Sequence, residues 1–240
     1  MPRPDSRRKG GSLGPIACSA CDLNEICRLS GLIALEGGHT RQSTGTMRVV
    51  RPGTHLYRTG SPANCLYAVR QGLLKLVHVT ADGDEHTVGL ATPGEVLGLE
   101  GFSLGSYATD AVALQPVICC ELPLTMLEQN GTRVRELASA LIRLLSRAAA
   151  PHLGSPRGSI RERVTSFLLD LSARLERRGL DGRQFTIGLS RREMADLLDT
   201  RIETVSRVMQ QLHREHAIRV RGDAVTLLRL SRSAEAVAAH

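Results

Sequence analysis

Tryptophan is absent, and 3 Tyr and 3 Phe make up the whole aromatic content of the 240 residues. So few rings leave no platform for stacking successive unpaired bases, which excludes that class of single-strand nucleic-acid binder. No apolar run approaches membrane-spanning length. Arg3, Arg7, Arg8 and Lys9 are followed by Gly and Ser rather than by an apolar core, so no secretory signal is read there. A phosphate-binding Gly-Lys motif, a His-Glu-x-x-His helix and an internal repeat are all missing. These absences point away from common enzyme sites and toward the cytoplasm. In that reducing setting the 6 Cys are free thiols or metal ligands rather than disulfides.

What is there is positive charge. The formal net charge is +7, and from Arg161 to Arg232 there are 15 Arg, no Lys and 10 acidic residues. A basic C-terminal third suggests a polyanionic partner. A hydrophobic content of 42% supports proper cores, and the length suits two domains or one large one.

The basic third carries its own pattern. Ser190 and Glu193 have capping-box spacing, and so do Thr200 and Glu203. Two start signals ten residues apart predict two short helices joined by a turn at Asp199-Thr200-Arg201. Met194, Leu197 and Leu198 share a face of the first helix. Ile202, Val205, Met209 and Leu212 share a face of the second. Ile218 to Leu228 alternates about Gly222-Asp223, which predicts a hairpin wing. The whole reads as a winged helix-turn-helix.

Glu203, Ser206 and Arg207 stand at i, i+3 and i+4 and project together from the second helix. An Arg fork matches the two acceptors of guanine, and a carboxylate accepts from the cytosine amino group. Arg191 and Arg192, at the start of the first helix, read as phosphate contacts. Thr200 and Arg201 in the turn complete the candidate DNA-binding set.

Upstream, residues 1–15 are rich in Arg, Gly, Pro and Ser and are expected to be a disordered leader. Cys18, Cys21 and Cys27 follow in a C-x2-C-x5-C pattern. Three thiols within ten residues point to soft-metal ligation, by zinc or an iron–sulfur cluster, with a fourth ligand from elsewhere. Leu32, Ile33 and Leu35 suggest a short helix. From Met47 to Leu122, short apolar runs are broken by glycine. Leu66–Val69, Leu73–Val79, His86–Leu90 and Val117–Leu122 read as strands, with a hairpin turn at Asp82-Gly83, and the spacing suggests a barrel or jelly roll.

Cys119 and Cys120 lie in the last of these strands. Their side chains point to opposite faces, so only one can reach the N-terminal trio. Cys65, beside Leu66 and Tyr67, reads as a buried inert thiol. His55, His78 and His86 lack metal-ligand spacing.

From Thr132 the period becomes helical. Val134, Leu137, Ala138, Leu141, Leu144, Leu145 and Ala148 form one stripe, which needs either the roll or a second subunit as its partner. Pro151, Gly154, Pro156 and Gly158 mark an interdomain break. A helix over Ile160–Arg177 follows, with Val164, Phe167, Leu168 and Leu171 inward, and then a short strand at Phe185-Thr186-Ile187.

On these residues the sequence resembles the Crp–Fnr family of bacterial transcription regulators, and within it the oxygen-sensing fumarate-and-nitrate-reduction (FNR) type. Four passages carry the resemblance: the trio Cys18, Cys21 and Cys27; Leu66-Tyr67-Ala68-Val69-Arg70-Gln71-Gly72; Cys120-Glu121-Leu122-Pro123; and Glu203-Thr-Val-Ser206-Arg207.

The resemblance implies an α+β fold: an N-terminal cyclic-nucleotide-binding-like β-roll (jelly roll), a dimerisation helix and a C-terminal winged helix-turn-helix. It places the cysteine arm in residues 1–30, the sensory roll in 31–125, the dimer helix and hinge in 126–159 and the DNA-binding domain in 160–240. It implies a four-iron, four-sulfur (4Fe-4S) cluster on Cys18, Cys21, Cys27 and Cys120, lost to oxygen, in a homodimer that controls anaerobic-metabolism genes. It further implies binding to an inverted repeat of double-stranded DNA with TTGAT-like half-sites, contact with RNA polymerase, and no enzymatic or membrane role.

Tyr107-Ala108 stands where cyclic-nucleotide-binding relatives carry an Arg-Ser or Arg-Thr pair, so no cyclic nucleotide is expected. The Pro93–Gly98 segment reads as a strand–turn–strand corner. Pro151 falls where the FNR type continues helically. A zinc-stabilised or small-ligand-responsive regulator without a redox cluster is the alternative.

Overall fold

The computed structural model describes residues 15–32, 35–36, 39–40, 46–128, 134–148 and 158–230. Most of the expected leader, Ile33, and the break at Pro151, Gly154 and Pro156 lie outside them.

The chain enters through a 3-10 turn at Cys18–Ala20 and a short helix α1 (Asn24–Leu29). The short helix expected around Leu35 is instead a pair of two-residue strands, β1 (Leu35–Glu36) and β2 (His39–Thr40), on either side of Gly37-Gly38. The paired glycines in that stretch are poor helix formers.

The roll is built from two four-stranded antiparallel sheets. One takes β3 (Met47–Val50), β10 (Val117–Pro123), β5 (Cys65–Gln71) and β8 (Val96–Leu97), in that order. The other takes β4 (His55–Tyr57), β9 (Asp110–Ala113), β6 (Leu74–Val79) and β7 (Glu85–Ala91). All four strands expected from sequence are present. β4, β8 and β9 are short, and tertiary pairing rather than local pattern defines them. A one-turn helix α2 (Gly101–Leu104) lies between β8 and β9, and another, α3 (Thr125–Glu128), follows β10.

Helix α4 (Val134–Ala148) does not present one stripe. Leu137, Ala140 and Leu144 are buried, and Leu141 is half-buried on the same packing. Ile142 and Leu145 are 63% and 48% exposed, with Ala138 also exposed beside them. The inner face packs on Leu23, just before α1, on Ile26 and Cys27 within it, and on Leu66 and Leu122 of the roll. A helical period marks apolar positions without saying how many partners share them, so the expected single face divides in two.

α5 (Ile160–Arg177) has the expected bounds and opens with a reciprocal Ser159–Glu162 capping box. Val164, Phe167, Leu168 and Leu171 are inward as expected, joined by Leu175. β11 (Gln184–Thr186), α6 (Arg191–Leu197), α7 (Ile202–Arg214), β12 (Ile218–Arg221) and β13 (Ala224–Leu227) complete the winged helix-turn-helix, with the three strands in the order β11-β13-β12.

The first capping box is formed at Ser190 and Glu193. The second is not. Asp199 turns left-handed at φ 45, and the Asp199 and Thr200 amides donate to Asp196 and Ala195. Those bonds close α6 in a Schellman-type ending. The Thr200 amide is thereby taken and cannot receive the Glu203 carboxylate, and Arg201 stands at the N-cap of α7 with no side-chain cap. Ile202 is correspondingly 42% exposed, and Val208 takes the inward place beside Val205, Met209 and Leu212.

The two halves pack directly on each other. Leu73 and Leu90 of the roll belong to the same buried cluster as Phe167 and Met194. α6 rests on β7, and Lys75 Nζ meets Glu193 Oε1 at 2.5 Å. Arg174, only 3% exposed, grips Glu95 through Nε at 2.7 Å and Nη2 at 2.5 Å, with Asp170 one turn away at 3.6 Å. A bidentate, sheltered Arg–carboxylate pair of this kind fixes orientation as well as distance.

Phe167 is fully enclosed in the C-terminal core. Phe167→Ala should therefore lower the unfolding free energy by about 3–5 kcal/mol in urea titrations.

Candidate functional site

The roll's last long strand decides the thiol geometry. β10 is held on both edges, Cys119 opposite Arg48 and Val69, Cys120 opposite Met47 and Ala68. Alternation sends the two side chains to opposite faces. Cys119 is 0% exposed and belongs to the roll's inner core with Tyr67, Val69 and Val117. Cys120 faces outward, into the cluster that holds Cys18, Cys21 and Cys27 together with Leu23 and Ile26. Cys65 stands apart, half-buried beside the inner core.

The arm reaches that face by short local bonds. The Cys21 amide donates to Cys18 O at 3.1 Å, Asn24 Nδ2 to Cys18 O at 2.9 Å, and the Cys27 amide to Leu23 O at 2.8 Å. These bonds place three thiols on one side of a loop and a helical turn. The Ile16 amide then anchors the entrance on Arg70 O at 3.0 Å.

Burial pushes the Cys21 thiol up to about 11 and that of Cys27 to about 12. Burial also raises Cys120, opposed by the neighbouring Arg70 guanidinium. A thiolate at Cys18 or Cys120 would raise Cys21 and Cys27 further, and all four thiols lie in one cluster. Four thiolates cannot coexist here without a cation among them.

Arg70 is the basic group at the site. Its Nη1 donates to Cys18 Sγ at 3.2 Å and lies 4.0 Å from Cys120 Sγ, while its buried Nε has no hydrogen-bond partner among the described residues. Four thiols and an orphaned cationic N–H fit an anionic metal–thiolate group. Among the described residues, however, no three His, Cys, Asp or Glu side chains converge as they would on one ion. His55 turns instead to Asp110 at 3.1 Å, and His78 pairs opposite His86 across β6 and β7.

Sequence reading missed Arg70 as a partner of the thiols, although it sits inside the Leu66–Gly72 passage. It also missed the ties that hold the arm: Arg143 of α4 to Glu25, and Arg178 to Asp22.

On the DNA-facing side, Glu203 and Arg207 are exposed and Ser206 half-exposed on α7, opposite its buried face. Arg192 and Arg201 are exposed, and Thr200 is half-buried in the turn. Arg191 is half-buried, its Nη1 3.3 Å from Met194 Sδ, so it is less available than Arg192.

Where a phosphate-binding Arg would stand, Tyr107 is 3% exposed and stacks on Tyr57 at 4.0 Å, its hydroxyl donating to Cys65 O at 2.9 Å. Ala108 lines a cavity of about 990 Å³ between roll, α4 and α5, together with Leu76, Glu100 and Arg174. Its Arg174 is already held by Glu95.

Residues 47–130 match the Cyclic nucleotide-binding domain family, and residues 162–232 match the Crp-like helix-turn-helix domain. The transcriptional activator protein anr of Pseudomonas aeruginosa is 31% identical over 88% of each chain.

The chain belongs to the Crp–Fnr family.

It is a DNA-binding transcription regulator of the FNR/Anr type, and not an enzyme. Regulators of the Crp family are dimeric. The fumarate and nitrate reduction regulatory protein of Vibrio cholerae is 25% identical over 94% of this chain and 92% of its own. Among solved structures, FixK2 from Bradyrhizobium japonicum is similar at 28% identity and a TM-score of 0.66, over 77% of this chain and 92% of that one. Among the described residues no helix is long and apolar enough to cross a membrane.

Proposed function

We propose that this regulator senses oxygen or redox state through an iron–sulfur cluster, of the four-iron, four-sulfur kind, held by Cys18, Cys21, Cys27 and Cys120, and controls anaerobic-metabolism genes. The observation that carries the reading is the outward turn of Cys120 into the cysteine arm while Cys119 turns into the roll core. The relatives named for fumarate and nitrate reduction support it.

A single zinc ion would need its sulfurs drawn to about 2.3 Å from one centre. The iron–sulfur reading rests instead on the four-thiol set and the Arg70 N–H beside it. When bound, such a group supplies an oxidant-labile link between arm and roll. The chain's own residues do the rest. Arg70 donates to the ligating sulfurs, Leu23, Ile26, Leu66 and Leu122 keep water from their inner side, and Arg143 holds Glu25 so that α1 stays on α4. Tyr107 in place of a basic residue argues against a cyclic nucleotide in the roll.

The proposed units are the arm in residues 1–30, the roll in 31–125, the dimer helix and hinge in 126–159 and the DNA-binding domain in 160–240. Ile142 and Leu145 are the seam for a second subunit. The dimer then sets two α7 helices about 34 Å apart, in successive major grooves of an inverted repeat with TTGAT-like half-sites. Glu203, Ser206 and Arg207 read base edges, and Arg192, Arg201, Thr200 and, less directly, Arg191 hold the backbone. RNA polymerase is the proposed protein partner, in the cytoplasm.

Isolation without air is the first measurement. Brown protein containing iron and sulfide is expected, lost in Cys18→Ser, Cys21→Ser, Cys27→Ser and Cys120→Ser and kept in Cys119→Ser and Cys65→Ser. Colourless protein with one zinc per chain would replace the redox reading by a structural one.

The divided faces of α4 give different outcomes for neighbouring substitutions. Ile142→Glu should leave a monomer in sedimentation while keeping its iron, because it charges the outer seam. Leu141→Glu strikes the arm-facing side and should lower iron content. A dimeric Ile142→Glu would move the interface elsewhere.

For base readout, Arg207→Ala should lose about 1–3 kcal/mol of discrimination per half-site at the G·C pair. Binding to the repeat and to G·C-substituted repeats at fixed salt measures this. Equal weakening on every sequence would place the specificity on other residues.

A further inference from the structure

We infer that Arg178 is a positioning residue through which the cysteine arm holds the DNA-binding domain of its own subunit. The inference rests on the reading of the arm as sensor and adds a route from it to DNA that does not pass through the dimer helix.

Arg178 caps the C-terminal end of α5, one turn beyond Arg174. Its Nη1 donates to Ala20 O at 2.6 Å and its Nη2 to Asp22 Oδ2 at 2.5 Å. Both partners belong to the thiol loop, since Ala20 lies between Cys18 and Cys21 and Asp22 follows Cys21. The pair is sheltered, at 18% and 17% side-chain exposure. Geometry of this kind is worth more than a surface ion pair, because solvent screens it less.

The passage of Arg178 is built into the roll. Gly94, at φ +95, receives the Asp22 amide on its carbonyl at 2.9 Å and donates its own amide to Val69 O at 2.8 Å. A Cβ there would collide with the Arg178 guanidinium, so glycine is what lets the side chain lie across the corner to reach the arm. The corner segment around Gly94 thus has a use beyond turning the chain.

Force applied at Arg178 reaches the recognition helix. The inner face of α5 and Val205, Val208, Met209 and Leu212 of α7 share one packed core, and α5 and α7 are in direct contact. The arm therefore has two separate grips. Glu25 to Arg143 of α4 addresses the subunit seam, and Ala20 and Asp22 to Arg178 address the DNA-binding domain. Rearrangement of the thiol loop moves the Ala20 carbonyl and the Asp22 carboxylate, releases Arg178 and frees α5 to shift α7.

A double-mutant cycle tests this, in full-length protein isolated without air. Affinity for an inverted-repeat duplex is measured for the unsubstituted protein, Cys21→Ser, Arg178→Met and the double variant, with sedimentation to follow the dimer. Cys21→Ser should weaken binding by about tenfold, within the usual range of coupling between sites. In the Arg178→Met background the same change should cost under about twofold. Arg178→Lys, which keeps the charge, should restore part of the difference. Asp22→Ala should reproduce the loss of coupling from the arm side, so misfolding of the Arg178 variant alone cannot mimic the result. Arg143→Met should leave the coupling through Arg178 in place.

An undiminished Cys21→Ser effect in the Arg178→Met and Asp22→Ala backgrounds overturns the inference. So does a Cys21→Ser effect accounted for by dimer loss alone, or no effect at all. Iron and sulfide content of the unsubstituted protein is read separately. Its absence defeats the cluster reading while the cycle, which compares loss of a thiol, still answers for Arg178.

Discussion

Everything about the cysteine-bearing end depends on one small buried cluster. Leu23 and Ile26 of the arm, Leu66 and Leu122 of the roll and Leu137 and Leu144 of α4 close on one another with almost no exposed surface. A six-residue helix and a 3-10 turn do not hold themselves in water. The arm folds because this cluster and the ion pairs at its rim receive it. The thiols then stand at the boundary between an apolar floor and the Arg70 guanidinium, where a thiolate is costly alone and sustainable beside a cation.

The same arrangement joins the arm to both halves of the chain. α4 gives one face to the arm and leaves the other, with Ile142 and Leu145, outside. α5 gives its inner face to the helix-turn-helix core and sends Arg174 and Arg178 back into the roll and arm. Each long helix thus serves two bodies. A shift in the arm has rigid elements to travel along, because packed cores switch between arrangements rather than deform continuously.

The fold also explains a substitution in the ligand cavity that relatives of another kind would use. Tyr107 stands where an Arg would be needed, stacks with Tyr57, which stacks on Tyr67, and spends its hydroxyl on the Cys65 carbonyl. The roll remains a well-packed support for β10, whose alternation presents Cys120 outward. Its architecture is that of its family, with the arm packed on the outside of the sheet.

Local chemistry in the sequence was enough for much of this. Short apolar runs broken by glycine located β5, β6, β7 and β10, helical spacing located α5 with its ends, and Ser190 with Glu193 located the start of α6. The C-x2-C-x5-C spacing located the thiol arm, because those signals act within a few residues. The Cys119-Cys120 doublet said that one thiol must face away, since neighbours in a strand always do, and the resemblance named Cys120. Only the tertiary structure placed Cys119 in the inner core and Cys120 against the arm, because which face of a sheet is covered, and by what, is settled by distant segments. For the same reason the sequence could not divide the faces of α4, foresee that the bonds closing α6 would take Thr200, or pair Arg178 with Asp22 across 156 residues. Those contacts join parts of the chain whose local patterns carry no record of each other, and shared burial with the ion pairs at its rim brings them together.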